Sequence, residues 1–166
     1  MEKHVLSALV KNSSGVLSRV SGLFSRRGYN IDSLTVGSTE DSAISRMTIT
    51  LMADDDVLEQ VKKQLEKLED VIRVVNFKAN ESVYRELVLI KVRANAENRS
   101  AINETVKIFR SKIIDISTDT LTIELTGDEE KISALINLMK EYGIEEVART
   151  GVTALQRGER TIQNTI

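Results

Sequence analysis

Residues 11–37, KNSSGVLSRVSGLFSRRGYNIDSLTVG, read as the end of a strand, a tight turn through Gly15, a helix, and a second strand. Val16, Leu17, Val20, Leu23 and Phe24 fall on one helical face, and Gly28 follows as the stop, because glycine takes the left-handed C-terminal conformation without a Cβ penalty. The turn is richer than a bare connection needs. Asn12, Ser13, Ser14 and Gly15 stand together where one helix cap would suffice. Two readings are open. Ser13 or Ser14 caps the helix and Gly15 only lets the chain turn. Alternatively, the free N–H groups at the helix start hold an α-carboxylate. Gly15 then permits close approach to the backbone, and Asn12 offers an amide oxygen to an ammonium group. Asn30, at the start of the next strand, is a second such residue, and Val16, Leu17 and Ile31 would form an apolar wall. That set suits a small aliphatic amino acid.

Working outward, residues 5–10 (VLSALV) read as a buried strand and residues 29–36 (YNIDSLTV) as the strand after the helix. A loop at 37–43 leads to residues 44–52, where Met47, Ile49 and Leu51 alternate with Arg46, Thr48 and Thr50, the pattern of a strand with one wet face. Asp54–Asp56 open a helix with the stripe Val57, Leu58, Val61, Leu65 and Leu68, and VIRVVNF at 71–77 closes the unit. The order is β-α-β-β-α-β. It then repeats: a strand at 87–92, a helix face at Ala101, Ile102, Thr105, Ile108 and Phe109, strands at 113–116 and 121–125, a helix from Asp128, and a strand from about Ile144. A shift of 85 positions brings Phe24 onto Phe109 and Ile31 onto Ile116, so an internal duplication is the economical reading. The expected fold class is α+β, two tandem ferredoxin-like βαββαβ domains. Each would carry helices on one sheet face only, leaving the other face and the edges available, and at least a dimer is expected.

Composition narrows function. The 166-residue chain is 41% hydrophobic and 29% charged, without cysteine or proline. That excludes disulfides and thiol chemistry. No apolar run is long enough for a bilayer span, and no signal-peptide pattern opens the chain. A cytoplasmic protein is expected, and no membrane partner. A net charge of −2 offers no general attraction to nucleic acid, and the central strands lack the aromatic residues that would stack RNA bases. His4 is the only histidine, Asp54–Asp56 and Asp128–Glu130 sit where helices begin, and Arg26 and Arg27 lie in a last helical turn. All are placed where ordinary structure accounts for them. An acylphosphatase-like hydrolase on this fold would need an arginine in the first loop, and Lys11–Gly15 has none. No catalytic residue and no metal ligand is assigned.

The words of the sequence add to its spacing. NSSGVLSRVSGLFSRRGYNIDSLTVG, followed by SRMTI at 45–49, closely resembles the regulatory (small) subunits of acetohydroxyacid synthase, also called acetolactate synthase. The resemblance continues through QLEKLEDVIRV, VLIKV, IFRSKIIDIS, ELTG at 124–127 and EEVARTGVTALQRG. It implies an N-terminal ACT domain at 1–78 for effector binding and dimerisation, a linker at 79–85 and a C-terminal ferredoxin-like domain at 86–155, while residues 156–166, QRGERTIQNTI, read by themselves as a mobile tail. It further implies that ACT domains of two chains join side by side. Asn12, Ser13, Ser14, Gly15, Val16 and Leu17 of one chain would then face Asn30, Ile31 and Asp32 of the other around the effector. The expected effector is valine, with leucine or isoleucine as alternatives in branched-chain amino acid biosynthesis.

The second half has Glu97, Asn98, Arg99 and Ser100 where the glycine turn would stand, so the effector site is not carried over to it. By the resemblance this chain binds no cofactor, while the catalytic large subunit holds thiamine diphosphate, Mg2+ and FAD. The chain would activate that subunit and confer feedback inhibition. The alternative is a stand-alone amino-acid-sensing pair of ACT domains with no enzyme partner.

Overall fold

The computed structural model describes residues 1–164. Its elements run β1 (Glu2–Lys11), α1 (Val16–Arg27), β2 (Ser33–Ser38), β3 (Ile44–Ala53), α2 (Asp55–Glu66), β4 (Val71–Phe77), a 3-10 turn (Ala79–Glu81) and β5 (Ser82–Arg93). Then follow α3 (Arg99–Ile108), β6 (Lys112–Ile116), β7 (Thr120–Gly127), α4 (Glu129–Met139), a second 3-10 turn (Lys140–Tyr142), β8 (Ile144–Arg149) and β9 (Thr153–Gln156). The chain divides into two compact units, Met1–Tyr84 with the C-terminal segment from Val152, and Arg85–Gly151. The duplicated βαββαβ order read from the periodicity is the observed one.

In the first unit the sheet order is β2-β3-β1-β4, all antiparallel. Register decides which side chains meet. Leu6 opposite Ile49 and Ala8 opposite Met47 face α1 and α2. There they pack with Val16, Val20, Leu23, Phe24, Leu58, Val61 and Leu65 in one core. In the second unit the order is β6-β7-β5-β8, and Val88, Ile90, Leu121 and Ile123 pack against Ile102, Val106, Ile132 and Leu135. Asp128 caps α4 by accepting from the Lys131 N–H at 2.9 Å, which satisfies one of the orphan donors of the first turn. Buried Glu86 receives two 2.8 Å hydrogen bonds from Arg149, a fork that ties β5 to β8.

Four expectations are corrected. Residues 29–32 are not strand: Gly28 ends α1 at φ 69°, Tyr29 N–H returns to the Phe24 carbonyl, and pairing with β3 starts only at Ser33. The chain spends those residues crossing from the helix end to the sheet edge. The far face of the first sheet is not left open. Val5 and Leu9 of β1 and Val75 and Phe77 of β4 point to it and pack with Ala154 and Ile162. Residues 156–164 are therefore not a free tail, and β9 and the following turn belong to the first unit rather than the second. Arg157 donates from its backbone to the Glu81 carbonyl at 2.8 Å and from Nε to the Ser82 carbonyl, and Arg160 pairs with Glu81 at 2.7 Å. Residues 165 and 166 of the expected tail lie outside the described residues. The boundary expected at 79–85 is crossed by β5, whose first residues Ser82–Tyr84 fall in the first unit.

Ile162 is only 6% exposed, so its truncation removes real burial. Ile162→Ala is expected to cost about 2 kcal/mol in urea denaturation of the first unit, the low end for such a substitution because a terminal segment can relax. Trypsin should also cut faster after Arg157 and Arg160. Unchanged cleavage would show that Ile162 does not anchor the segment.

Candidate functional site

The turn at Asn12–Gly15 is built by backbone and amide contacts rather than by a serine cap. Ser13 N–H donates to the Lys11 carbonyl at 3.0 Å, Asn12 N–H to the Ala43 carbonyl at 2.7 Å, and Asn12 Nδ2 to the Ser42 carbonyl at 2.8 Å. The amide group of Asn12 is thereby fixed against the β2–β3 loop, with Oδ1 left to accept. Gly15 is the N-cap at φ 84° and no side chain caps α1. The left-handed backbone explains the glycine on physical grounds. Of the two readings of Ser13 and Ser14, capping is the one without a hydrogen bond here, and both serines are exposed.

The first turn of α1 carries no acidic residue. Arg19 lies over it instead. Its Nη1 would sit 2.9 Å from a Cβ added at Gly15, while its Nε donates to Asp70 Oδ2 at 2.7 Å. A positive helix end with a guanidinium beside it and no carboxylate of its own turn favours an anion. The sequence reading missed Arg19, although its position four residues after Gly15 was a signal. Side chains on a helix lean toward its N-terminus, so residue i+4 covers residue i. Asp70, which holds Arg19 from far along the chain, gave no such signal.

Val16 is buried in the core, Leu17 is 45% exposed, and Ile31 is half-buried. Asn30 and Asp32 are exposed and tied together, Asn30 Nδ2 to Asp32 Oδ1 at 3.0 Å, which leaves the Asn30 oxygen free to accept. Within one chain the two expected halves do not meet. Asn12–Leu17 stand at the start of α1 and Asn30–Asp32 beyond its end, and a helix of 12 residues spans about 18 Å. In the second unit, the equivalent turn is filled by its own side chains. Asn95 Oδ1 accepts from the N–H groups of Glu97 and Asn98, and Arg99 Nη2 donates to the carbonyls of Ser117 and Thr118 at 2.8 Å.

Among the described residues no cluster of His, Cys, Asp or Glu could hold a metal ion, and no helix is long and apolar enough to cross a membrane.

A βαββαβ order with both helices on one face defines a ferredoxin-like module, the class of folds to which ACT domains belong. Residues 6–73 match the family model described as AHAS small subunit-like ACT domain, and residues 85–158 match that of the small subunit of acetolactate synthase. The chain is 54% identical to the acetolactate synthase small subunit of Mycolicibacterium smegmatis, over 96% of this chain and 94% of that one. It is 52% identical to a probable acetolactate synthase small subunit of Methanothermobacter thermautotrophicus, over 97% and 96%. The crystal structure of the acetolactate synthase small subunit from Thermotoga maritima superposes with a TM-score of 0.89 at 42% identity, covering 96% of this chain and all of that one. The chain belongs to the acetolactate synthase small-subunit family.

Gly15→Ala should destabilise the first unit by about 1–2 kcal/mol, since a Cβ is disfavoured at φ 84° and must displace the Arg19 guanidinium. Equilibrium denaturation checks this. A neutral result would mean that the turn relaxes without cost and is not held by Arg19 and Asp70.

Proposed function

We propose that this chain is the regulatory subunit of an acetolactate synthase, activating the catalytic large subunit and making it sensitive to valine. Family membership supports the partnership. The observation that supports the effector reading most directly is the uncapped start of α1, with Gly15 left-handed and Arg19 beside it. There a carboxylate would receive backbone N–H groups, Asn12 Oδ1 would accept from the ammonium group, and Leu17 with the partner's side of the site would cover the branched tail. Valine is the effector we favour, with leucine or isoleucine admitted by the same chemistry.

The site would be completed by a second copy. β2 is an edge of its sheet. Asn30–Asp32 precede its first residue, and the turn at Asn12 lies by its last ones, through the contacts of Asn12 with Ser42 and Ala43. Two such edges related by a two-fold axis perpendicular to the sheet run antiparallel, so the start of one β2 would meet the end of the other. That brings Asn30, Ile31 and Asp32 of one chain to Asn12–Leu17 of its neighbour. The chemistry of carbon–carbon bond formation would belong to the catalytic subunit, where thiamine diphosphate, Mg2+ and FAD are expected. This chain would contribute a change of equilibrium. Valine must bind the less active arrangement better, and a coupling of about 1–3 kcal/mol suffices for control.

The test is reconstitution with the catalytic subunit. Gly15→Asp places a carboxylate where the effector's own carboxylate would bind, and should abolish inhibition by valine while activation persists. Full inhibition of that variant would place the effector elsewhere. Loss of activation together with inhibition would count against separate regulatory and activating surfaces.

A further inference from the structure

We propose that the cavity between the first sheet's far face and the C-terminal segment is a second binding site, for a small carboxylate with a short aliphatic tail held by Arg46. The cavity measures about 480 Å3 and is lined by Leu9, Ile44 and Ile162 on its apolar side and by Arg46, Glu40 and Thr39 on its polar side. Register explains how it arises. Arg46 lies opposite Leu9 on β1 and opposite Gly37 on β2, so one neighbour has an apolar side chain and the other has none. The β2–β3 loop forms one wall and Ile162 another.

Arg46 is the unusual group. Arg19, Arg149 and Arg160 each meet a carboxylate within 2.8 Å. Arg46 is half-buried, its Nε is fully buried, and that atom has no hydrogen-bond partner among the described residues. Burial disfavours its charged form, and Glu40 is near enough to oppose that effect without bonding to it. A half-desolvated guanidinium attracts a planar oxyanion, and its two terminal nitrogens can match a carboxylate at two points while the buried Nε stays behind them. Leu9, Ile44 and Ile162 then select for an aliphatic tail. Glu40 and Asp41 in the same wall repel any anion there, and a doubly charged phosphate more strongly than a singly charged carboxylate. Since Ile162 belongs to both the cavity and the apolar contact that anchors the C-terminal segment, an occupant would hold that segment down.

This site is separate from the turn at Asn12–Leu17 and does not depend on valine acting there. The probe is therefore 2-methylpropanoate, which lacks an ammonium group, with inorganic phosphate as the comparison anion. Calorimetric titration of the full chain should show saturable binding of 2-methylpropanoate, at least tenfold weaker in Arg46→Gln. Hydrogen exchange of residues 157–164 should slow on binding. In the unsubstituted protein the Arg46 Nε–H resonance should shift along the same titration, a reading that stands even if the variant does not fold. Absence of saturable binding, equal binding by Arg46→Gln, or an unmoved Arg46 resonance would overturn the site. A preference for phosphate would overturn the ligand class.

Discussion

β1 lies inside the first sheet, and its residues Val5, Leu6, Ala8, Leu9 and Val10 are all buried. Both of its faces therefore have to be kept from water. Leu6, Ala8 and Val10 are covered by α1 and α2, while Val5 and Leu9 are covered by the segment that returns from the second unit. Burying a side chain of this size is worth about 1.5–3 kcal/mol, a large share of the margin by which a small domain is stable. A ferredoxin-like sheet with helices on one face alone would leave that contribution unrealised. The returning segment is thus part of the first unit's core, although the whole of the second unit, Arg85–Gly151, lies between them in the chain.

This constraint was half legible. The run VLSALV at 5–10 reads as a buried strand, and a strand apolar at nearly every position signals cover on both sides. What obscured the cover was β3, whose outward residues Arg46, Thr48 and Thr50 suggested a wet face, although Thr48 and Thr50 are buried. The covering segment itself is polar in composition. QRGERTIQNT carries one large apolar side chain, Ile162, and its placement rests on Arg157 and Arg160 reaching Glu81 and Ser82. Such pairings are long-range and leave no periodicity to read. The helices and inner strands were legible because their burial repeats every 3.6 or 2 residues.

The candidate effector site divides in the same way. Gly15 and the amides of Asn12 and Asn30 follow from local sequence, since a left-handed turn is a property of a few consecutive residues, whereas the sequence left open whether Ser13 or Ser14 caps the helix, and neither does. The Arg19–Asp70 pair and the seating of Asn12 on Ser42 and Ala43 join distant parts of the chain. The separation of Asn12–Leu17 from Asn30–Asp32 is a consequence of helix length, which is readable. It argues that one chain alone cannot close around a ligand with both sets.

The β2–β3 loop gives the two candidate sites a common structural member. On one side Ser42 and Ala43 receive the side chain and backbone of Asn12, and on the other Thr39–Asp41 form a wall of the Arg46 cavity. The loop is braced internally as well, with Thr39 Oγ1 donating to the Asp41 carbonyl and Asp41 Oδ1 accepting from Ala43 N–H at 2.9 Å. A short loop so tied moves as a unit or not at all. If its position differs between two arrangements of the subunit, a ligand that prefers one arrangement at Asn12 shifts the loop at Arg46, and the converse factor must be equal. The strength of that linkage is limited by how differently each ligand binds the two arrangements. A carboxylate held at Arg46 can therefore adjust the response at the turn only to the extent that the loop, and Ile162 across from it, take part in the regulatory change.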